Sequence, residues 1–498
     1  REENFITDWN VDDKSGIWRL SSLSSDEKPT LDHKNNISMK STNPNKKNVV
    51  DKLKIPDELD KGVDKIREEL LVDPDTIKEI VIHLSSGRHV LLAGPVGSGK
   101  THLSQLIPKT FWNENNGYFS EIHTATADWN TKDVIGGITP KINPENPDYP
   151  TYEVELGCVS KTILDNYDKK IENNQTTGDV RTTATRKIDG KDTEFNGVWL
   201  VIDEFNRADI DKAFGQLFTA LEYRLLKIPS SKTNTSYDEI KIPSDYRIIG
   251  TLNTADKHYL FSMSDALKRR FAYVEIPIPA RNEKTIEIFY ALQNAINSFD
   301  NKEEFSNIVE IKTKPDIEYH VQNFEKKVVT IYDVLDLCRL FKPLGTAILK
   351  SIYQTLLVAE KLKQENALDY AIHANILPQL ESINKMSLEL IYKFMFENVV
   401  NYMKNDLEEE NLAMYSKYFK TILEFIQLDL TKIDAEGKTT LDDIVSKIRN
   451  SELTDKDWST INGAVEQKRV EMNLDKDKTV FKIFKRSFLE LIESESMI

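Results

Sequence analysis

The 498-residue chain is 39% hydrophobic and 30% charged, a balance that suits a globular protein with a heavily charged surface, long enough for about two to four domains. Its formal net charge of −15 argues against a dedicated nucleic-acid-binding domain, which normally carries the opposite sign. Apolar runs such as 198–202 are too short to cross a membrane. Cys158 and Cys338 form neither a disulfide framework nor a metal-ligand spacing, so a reducing cytoplasm is the expected setting.

The chain starts at Arg1 without a signal-peptide pattern and reads as a fragment whose upstream part is missing. Residues 1–64 are the expected tail and linker: "WNVDDKSGIWRLSSLSS" could close an earlier domain, and "DHKNNISMKSTNPNKKN" has linker composition. Ile77, Ile80, Val81 and Leu84 then recur at helical spacing, with Gly87 as a stop. "HVLLAG" (89–94) predicts a buried strand followed by a glycine loop and a helix. Further strands are expected at 118–125, 198–203, 246–251 and 271–277, with a helix over 208–222. Strands alternating with helices predict an α/β fold, a parallel sheet between helical layers. Residues 170–196 are polar and predict a mobile loop, while 223–229 and 238–243 predict a β-hairpin. From 281 the pattern is helical, with helices expected at 283–298, 327–341, 345–364, 366–380, 386–404 and 410–428. The expected division is an α/β nucleotide-binding domain over 65–280, a helical lid over 281–385 and a C-terminal helical extension over 386–498.

"GPVGSGKT" spans Gly94, Pro95, Val96, Gly97, Ser98, Gly99, Lys100 and Thr101 and fits the phosphate-binding pattern G-x-x-x-x-G-K-[ST]. Glycines let backbone N–H groups close around phosphate oxygens, and the following helix N-terminus favours an anion. Lys100 is the expected contact to the β- and γ-phosphates, and the Thr101 hydroxyl an expected Mg²⁺ ligand. In "VWLVIDEFNRAD" (198–209), an apolar run leads to Asp203 and Glu204 at a strand tip, where open α/β sheets bind ligands. Asp203 is the expected second metal ligand and Glu204 the general base. If the strand ending in "GTLNTAD" lies beside the phosphate-loop strand, Asn253 faces the γ-phosphate and the attacking water. Its amide can donate to one and accept from the other. An Asx-turn ending the strand is the alternative reading of Asn253.

Together "IDEFNRAD", the hairpin, "IIGTLNTAD" and "DALKRRF" resemble the AAA+ NTPases of the MoxR/McrB-like branch over roughly residues 65–385, closest to McrB-type restriction motor subunits. The resemblance implies a homo-hexameric ring with GTP or ATP and Mg²⁺ between subunits. It implies Asn253 as sensor 1, Arg269 or Arg270 as an arginine finger in the neighbour's site, and Arg207 as a further residue acting across the interface. A helix-end cluster complementing the macrodipole is the other reading of "LKRR". An McrC-like nuclease subunit would be the partner, with DNA reached through the pore or an upstream domain. The alternative is a MoxR-like ATP-driven remodelling chaperone, which the acidic balance suits. Two positions depart from the branch: Lys257-His258 stands where McrB-type chains carry arginine, and Thr346 where MoxR relatives often place a sensor-2 arginine.

"ATADWNTKDVIGGITP" (125–140) suggests a pore-lining or interface turn around Trp129 and Gly136-Gly137, or else packing of Trp129 on the lid. The hairpin suggests either a substrate contact or a cover for the sheet edge. "PDIEYH" and "PDELDKG" carry acids without a nuclease pattern, and the acidic stretch 406–412 reads as a solvated face.

Overall fold

Strand β1 (His89–Gly94) is buried along its whole length, as a run flanked by helices on both sides must be. The computed structural model describes residues 53–141, 151–167, 170–172, 175–177, 183–229, 237–254, 265–434, 439–474 and 481–494. The expected N-terminal tail up to 52, and Asp256, Lys257 and His258, lie outside them. Helices α1 (Leu59–Glu69) and α2 (Pro74–Ser85) precede β1, and α3 (Lys100–Phe111) follows the glycine loop. Next come β2 (Tyr118–Thr124), α4 (Cys158–Leu164), β3 (Gly197–Asp203), α5 (Ile210–Tyr223), β4 (Ile248–Asn253), α6 (Asp265–Arg270) and β5 (Phe271–Glu275). The five strands form one parallel sheet in the order β5-β1-β4-β3-β2.

Side chains alternate between faces along a strand, and the two cores divide accordingly. Val90, Leu92, Trp199, Val201 and Ile249 join one cluster with residues of α1, α2 and α3. Leu91, Ala93, Leu200, Ile202, Ile248 and Leu252 join another with residues of α4 and α5. Each fully buried aliphatic side chain contributes roughly 1.5–3 kcal/mol, so the strands are held from both faces.

The polar stretch 170–196 is not a loop throughout. Ala184–Ile188 and Lys191–Phe195 pair as a hairpin, turned by Asp189 and Gly190 at φ of 49° and 76°. An Asp-Gly pair with two positive φ angles suits a tight two-residue turn. Lys170–Glu172 and Gln175–Thr177 form a short second ladder. Residues 136–141 pair with 151–156 in a further hairpin. Trp129 packs against Phe214 of α5, ring centroids 6.2 Å apart, rather than on the lid. The hairpin of Leu225–Pro229 and Tyr237–Lys241 buries Leu226 and Ile228 in the α4–α5 cluster. It forms its own two-stranded ladder and adds no strand to the main sheet.

Beyond the sheet run α7 (Lys284–Asn297), α8 (Phe324–Arg339), α9 (Thr346–Lys361), α10 (Ala367–Leu380), α11 (Lys385–Phe396), α12 (Glu409–Phe425), α13 (Leu441–Arg449), α14 (Asp455–Glu471) and α15 (Lys482–Ser494). The helix expected over 386–404 breaks at Glu397, whose φ of −133° and ψ of −137° are not helical. One hydrophobic cluster runs from Ile288 to Ile492, so the helices on both sides of residue 385 share a core.

Candidate nucleotide site

Gly97 and Gly99 adopt φ of 79° and 84°, angles that suit glycine and let the loop turn tightly from β1 into α3. Lys100, at the first position of α3, is buried. Its Nζ donates to the carbonyls of Gly94 at 3.0 Å and Pro95 at 2.8 Å. Burial holds its pKa down to about 8, and the nearby Glu204 and Asp203 carboxylates offset only part of that.

β4 lies directly beside β1, with Gly94 paired to Asn253. β3 flanks β4 on the other side, so three strand tips bring their polar residues together. Thr101 Oγ1 donates to Asp203 Oδ1 at 2.7 Å, and Thr251 Oγ1 donates to the same oxygen at 2.6 Å. Asn253 Nδ2 donates to both Glu204 carboxylate oxygens at 2.8 Å. Glu204 follows β3 with φ of 55°, an uncommon conformation for a residue with a side chain. Its N–H donates to Thr251 Oγ1 at 3.1 Å. Arg207 is largely exposed and places Nε 3.2 Å from Glu204 Oε2.

Thr251 was not singled out by the sequence reading. Its signal was a hydroxyl two residues before Asn253, hence on the same face of the strand. Thr101 and Asp203 bring hard oxygen donors to one point beside the phosphate loop, a donor set that fits Mg²⁺.

Arg269 and Arg270 lie at the opposite end of the sheet. They precede Phe271, which pairs with His89 at the start of β1, whereas the phosphate loop follows Gly94 at its end. Six residues at ~3.3 Å each put them roughly 15–20 Å from this chain's own loop. Arg270 is paired with Glu222. Arg269 is exposed, with no ion pair among the described residues.

The lid meets the site through α9. Gly345 N–H donates to Val96 O at 2.9 Å and Ala347 N–H to Gly97 O at 3.0 Å. A Cβ at Gly345 would sit 2.1 Å from the Gly97 carbonyl carbon, so only glycine fits. Thr346 Oγ1 donates to Glu287 Oε1 at 2.8 Å. Glu287 is also held by Arg339 through two contacts of 2.6 and 2.9 Å, with both side chains almost fully buried.

A five-stranded parallel sheet, a glycine loop leading into a helix and an acid pair at the tip of the strand one place removed define a P-loop nucleotide-binding fold of the AAA+ class. Residues 89–271 match the AAA domain of the dynein-related subfamily. The chain thus carries an AAA domain over these residues, and it is McrB-like in this region. It is 22% identical over 213 residues, 42% of its own length, to the "Type IV methyl-directed restriction enzyme EcoKMcrB subunit" of Escherichia coli (strain K12). The match spans 39% of that relative's length. Among solved structures, NtrX from Brucella abortus in complex with ADP is similar at 12% identity and a TM-score of 0.36, over 83% of this chain and 72% of that one. NtrX in complex with ATP is similar at 12% identity and a TM-score of 0.37, over 78% and 72%. No helix among the described residues is long and apolar enough to cross a membrane.

Proposed function

We propose that this chain is an NTP-hydrolysing AAA+ ring motor, the McrB-like subunit of a DNA restriction or defence complex that acts with a separate nuclease subunit. The observation that carries the catalytic reading is the convergence of Thr101, Asp203, Glu204 and Asn253 beside the phosphate loop. Lys100 leaves its two loop carbonyls to contact the β- and γ-phosphates. Thr101 and Asp203 would hold Mg²⁺, which would supply charge neutralisation at the phosphate oxygens. Glu204 accepts a proton from the attacking water, and Asn253, which already bonds its carboxylate, fixes the direction of that acceptance.

Arg269 and Arg270 are too far from their own loop to act there, which supports action on a nucleotide held by a neighbouring copy. Arg269 is exposed and free to reach outward as the finger, whereas Arg270 is tied to Glu222. A finger of this kind is worth about 10³–10⁵ in rate. The restriction role rests on similarity to the McrB subunit.

The test is initial-rate hydrolysis of GTP and ATP side by side, with and without DNA, using Glu204→Gln as the blank. GTP preference with stimulation by DNA supports the restriction motor. ATP preference with no response to DNA favours a MoxR-like remodeller. No turnover above the blank overturns the hydrolase reading.

A further inference from the structure

Thr251 is 2% exposed and lies two residues before the end of β4. A hydroxyl at that depth needs partners, and both of its partners belong to the candidate site. Its Oγ1 donates to Asp203 Oδ1 at 2.6 Å and accepts the Glu204 N–H at 3.1 Å.

Strand register puts it there. The parallel ladder between β4 and β3 runs through Ile248–Leu200, Ile249–Val201 and Gly250–Ile202. The next residue on each strand is Thr251 and Asp203. Past that point β3 ends, because Glu204 turns away at φ of 55°. Its N–H bonds the Thr251 side chain where a strand would use a carbonyl. A hydroxyl can give its proton to a carboxylate and take an N–H at the same time.

Two consequences follow from this geometry. Asp203 Oδ1 also accepts from the Thr101 hydroxyl, at 2.7 Å. A carboxylate oxygen offers about two lone pairs, so the carboxylate cannot turn without breaking both bonds. Glu204, in turn, is held at two places by one strand. Thr251 takes its main-chain N–H, while Asn253, on the same face of β4, donates to both carboxylate oxygens at 2.8 Å. Asn253 directs the carboxylate, but the backbone that carries it is fixed by Thr251. Satisfying a buried N–H would by itself serve only the fold. The second bond, to the oxygen that Thr101 also holds, ties the backbone of Glu204 to the carboxylate of Asp203.

We propose that Thr251 is a positioning residue for hydrolysis, whose hydroxyl holds the Asp203 carboxylate and the Glu204 main chain in fixed relation to one another. It acts through those two residues rather than on the nucleotide. The effect on turnover rests on the hydrolase reading of the site; the hold on Asp203 does not.

The experiment compares Thr251→Val, which keeps the β-branched shape and removes the hydroxyl, with Thr251→Ser, which keeps the hydroxyl. Each is assayed for affinity towards GTP and ATP in EDTA, and for kcat and KM with metal. Each is also loaded with a non-hydrolysable GTP or ATP analogue and titrated with Mn²⁺, read from the electron paramagnetic resonance signal of the free ion. Without metal, Thr251→Val should bind nucleotide as the unmutated chain does. Its Mn²⁺ affinity should fall about tenfold, as when a group that orients a metal ligand is removed. Its kcat should fall about 10²-fold, the cost of an ångström of misplacement, with KM changed less than about threefold. Thr251→Ser should recover most of both losses. A lowered melting temperature with kcat and Mn²⁺ affinity unmoved would mean a purely structural role and overturn the proposal, as would a loss that serine does not restore. Thr251→Ala removes the same hydroxyl and carries the test if the valine chain does not fold. If the unmutated chain shows no turnover above the Glu204→Gln blank, the hydrolase reading fails. The Mn²⁺ titration then decides the hold on Asp203, which unchanged affinity in Thr251→Val overturns.

Discussion

Glu204 carries two constraints that a strand-tip carboxylate does not need for solubility. Its backbone sits at φ of 55°, and Asn253 Nδ2 donates to both carboxylate oxygens. Such local strain persists only where surrounding contacts hold it, here the Thr251 hydroxyl accepting the Glu204 N–H. Glu204→Gln is therefore expected to keep nucleotide binding and lower turnover about 10²–10⁴-fold, the usual worth of a general base. Equilibrium binding and single-turnover assays on one preparation check it, and unchanged turnover would remove Glu204 from the mechanism. Lys100 gives a pH prediction. With its pKa at about 8 and an unfolded value near ~10.4, the folded chain binds fewer protons between those values. Stability therefore rises with pH across that window. Nucleotide affinity moves the opposite way, because phosphate needs the protonated amine: it should be flat below about pH 8 and fall by up to about tenfold per pH unit above. A dissociation constant measured from pH 6.5 to 9.5 reads this directly, and a flat profile would place Lys100 away from the phosphates.

At the scale of elements, the lid is anchored by the start of α9 and by one buried ion pair. Gly345 and Ala347 donate to the phosphate-loop carbonyls, and Thr346 bonds Glu287. The position where the resemblance expects a sensor-2 arginine thus ties the lid to itself. Glu287→Ala leaves the Arg339 charge buried and unpaired, which costs about 3–5 kcal/mol. Denaturant unfolding should show that loss, and a change under ~1 kcal/mol would mean the pair adds little. Gly345→Ala should weaken nucleotide binding through the loop rather than through any lost ligand contact. Binding isotherms beside melting curves separate the two effects. Element existence was legible wherever the apolar pattern was strong: the five strands and the helices over 283–298 and 345–364 lie within two or three residues of their expected positions. The miss at 170–196 came from weighing polarity above the Asp189-Gly190 turn. A solvated hairpin carries few apolar residues, so its signal lay in the turn chemistry.

For the whole molecule, one core joins the helices from Ile288 to Ile492. A chain cut after residue 385 would expose the faces that α8 and α10 present to the later helices. It should lose its cooperative melt, and a retained sharp transition would show that the lid folds alone. On the proposed reading, Arg269, which lies across the sheet from its own loop, acts on the nucleotide of a neighbouring copy. Arg269→Ala should bind nucleotide normally and turn over about 10³-fold more slowly. Mixed with Lys100→Ala, it should regain part of its rate, because a composite interface joins an intact loop to an intact finger. Strictly additive loss would exclude action between copies.

The sequence by itself determined the chemistry that is contiguous in the chain. The loop from Gly94 to Thr101 and the pair Asp203-Glu204 are legible because a phosphate cradle and a strand-tip acid pair are built from neighbouring residues. The alternation of strands and helices is legible because burial imposes a period. Tertiary structure decided what depends on strand order and register. Asn253 faces Glu204 only because β4 lies between β1 and β3, with Gly94 opposite Asn253. Thr251 joins Asp203 for the same reason. The contact of Gly345 with the loop draws on residues about 250 positions apart. Parallel pairing and helix packing place such groups together, and neither leaves a local trace in the sequence.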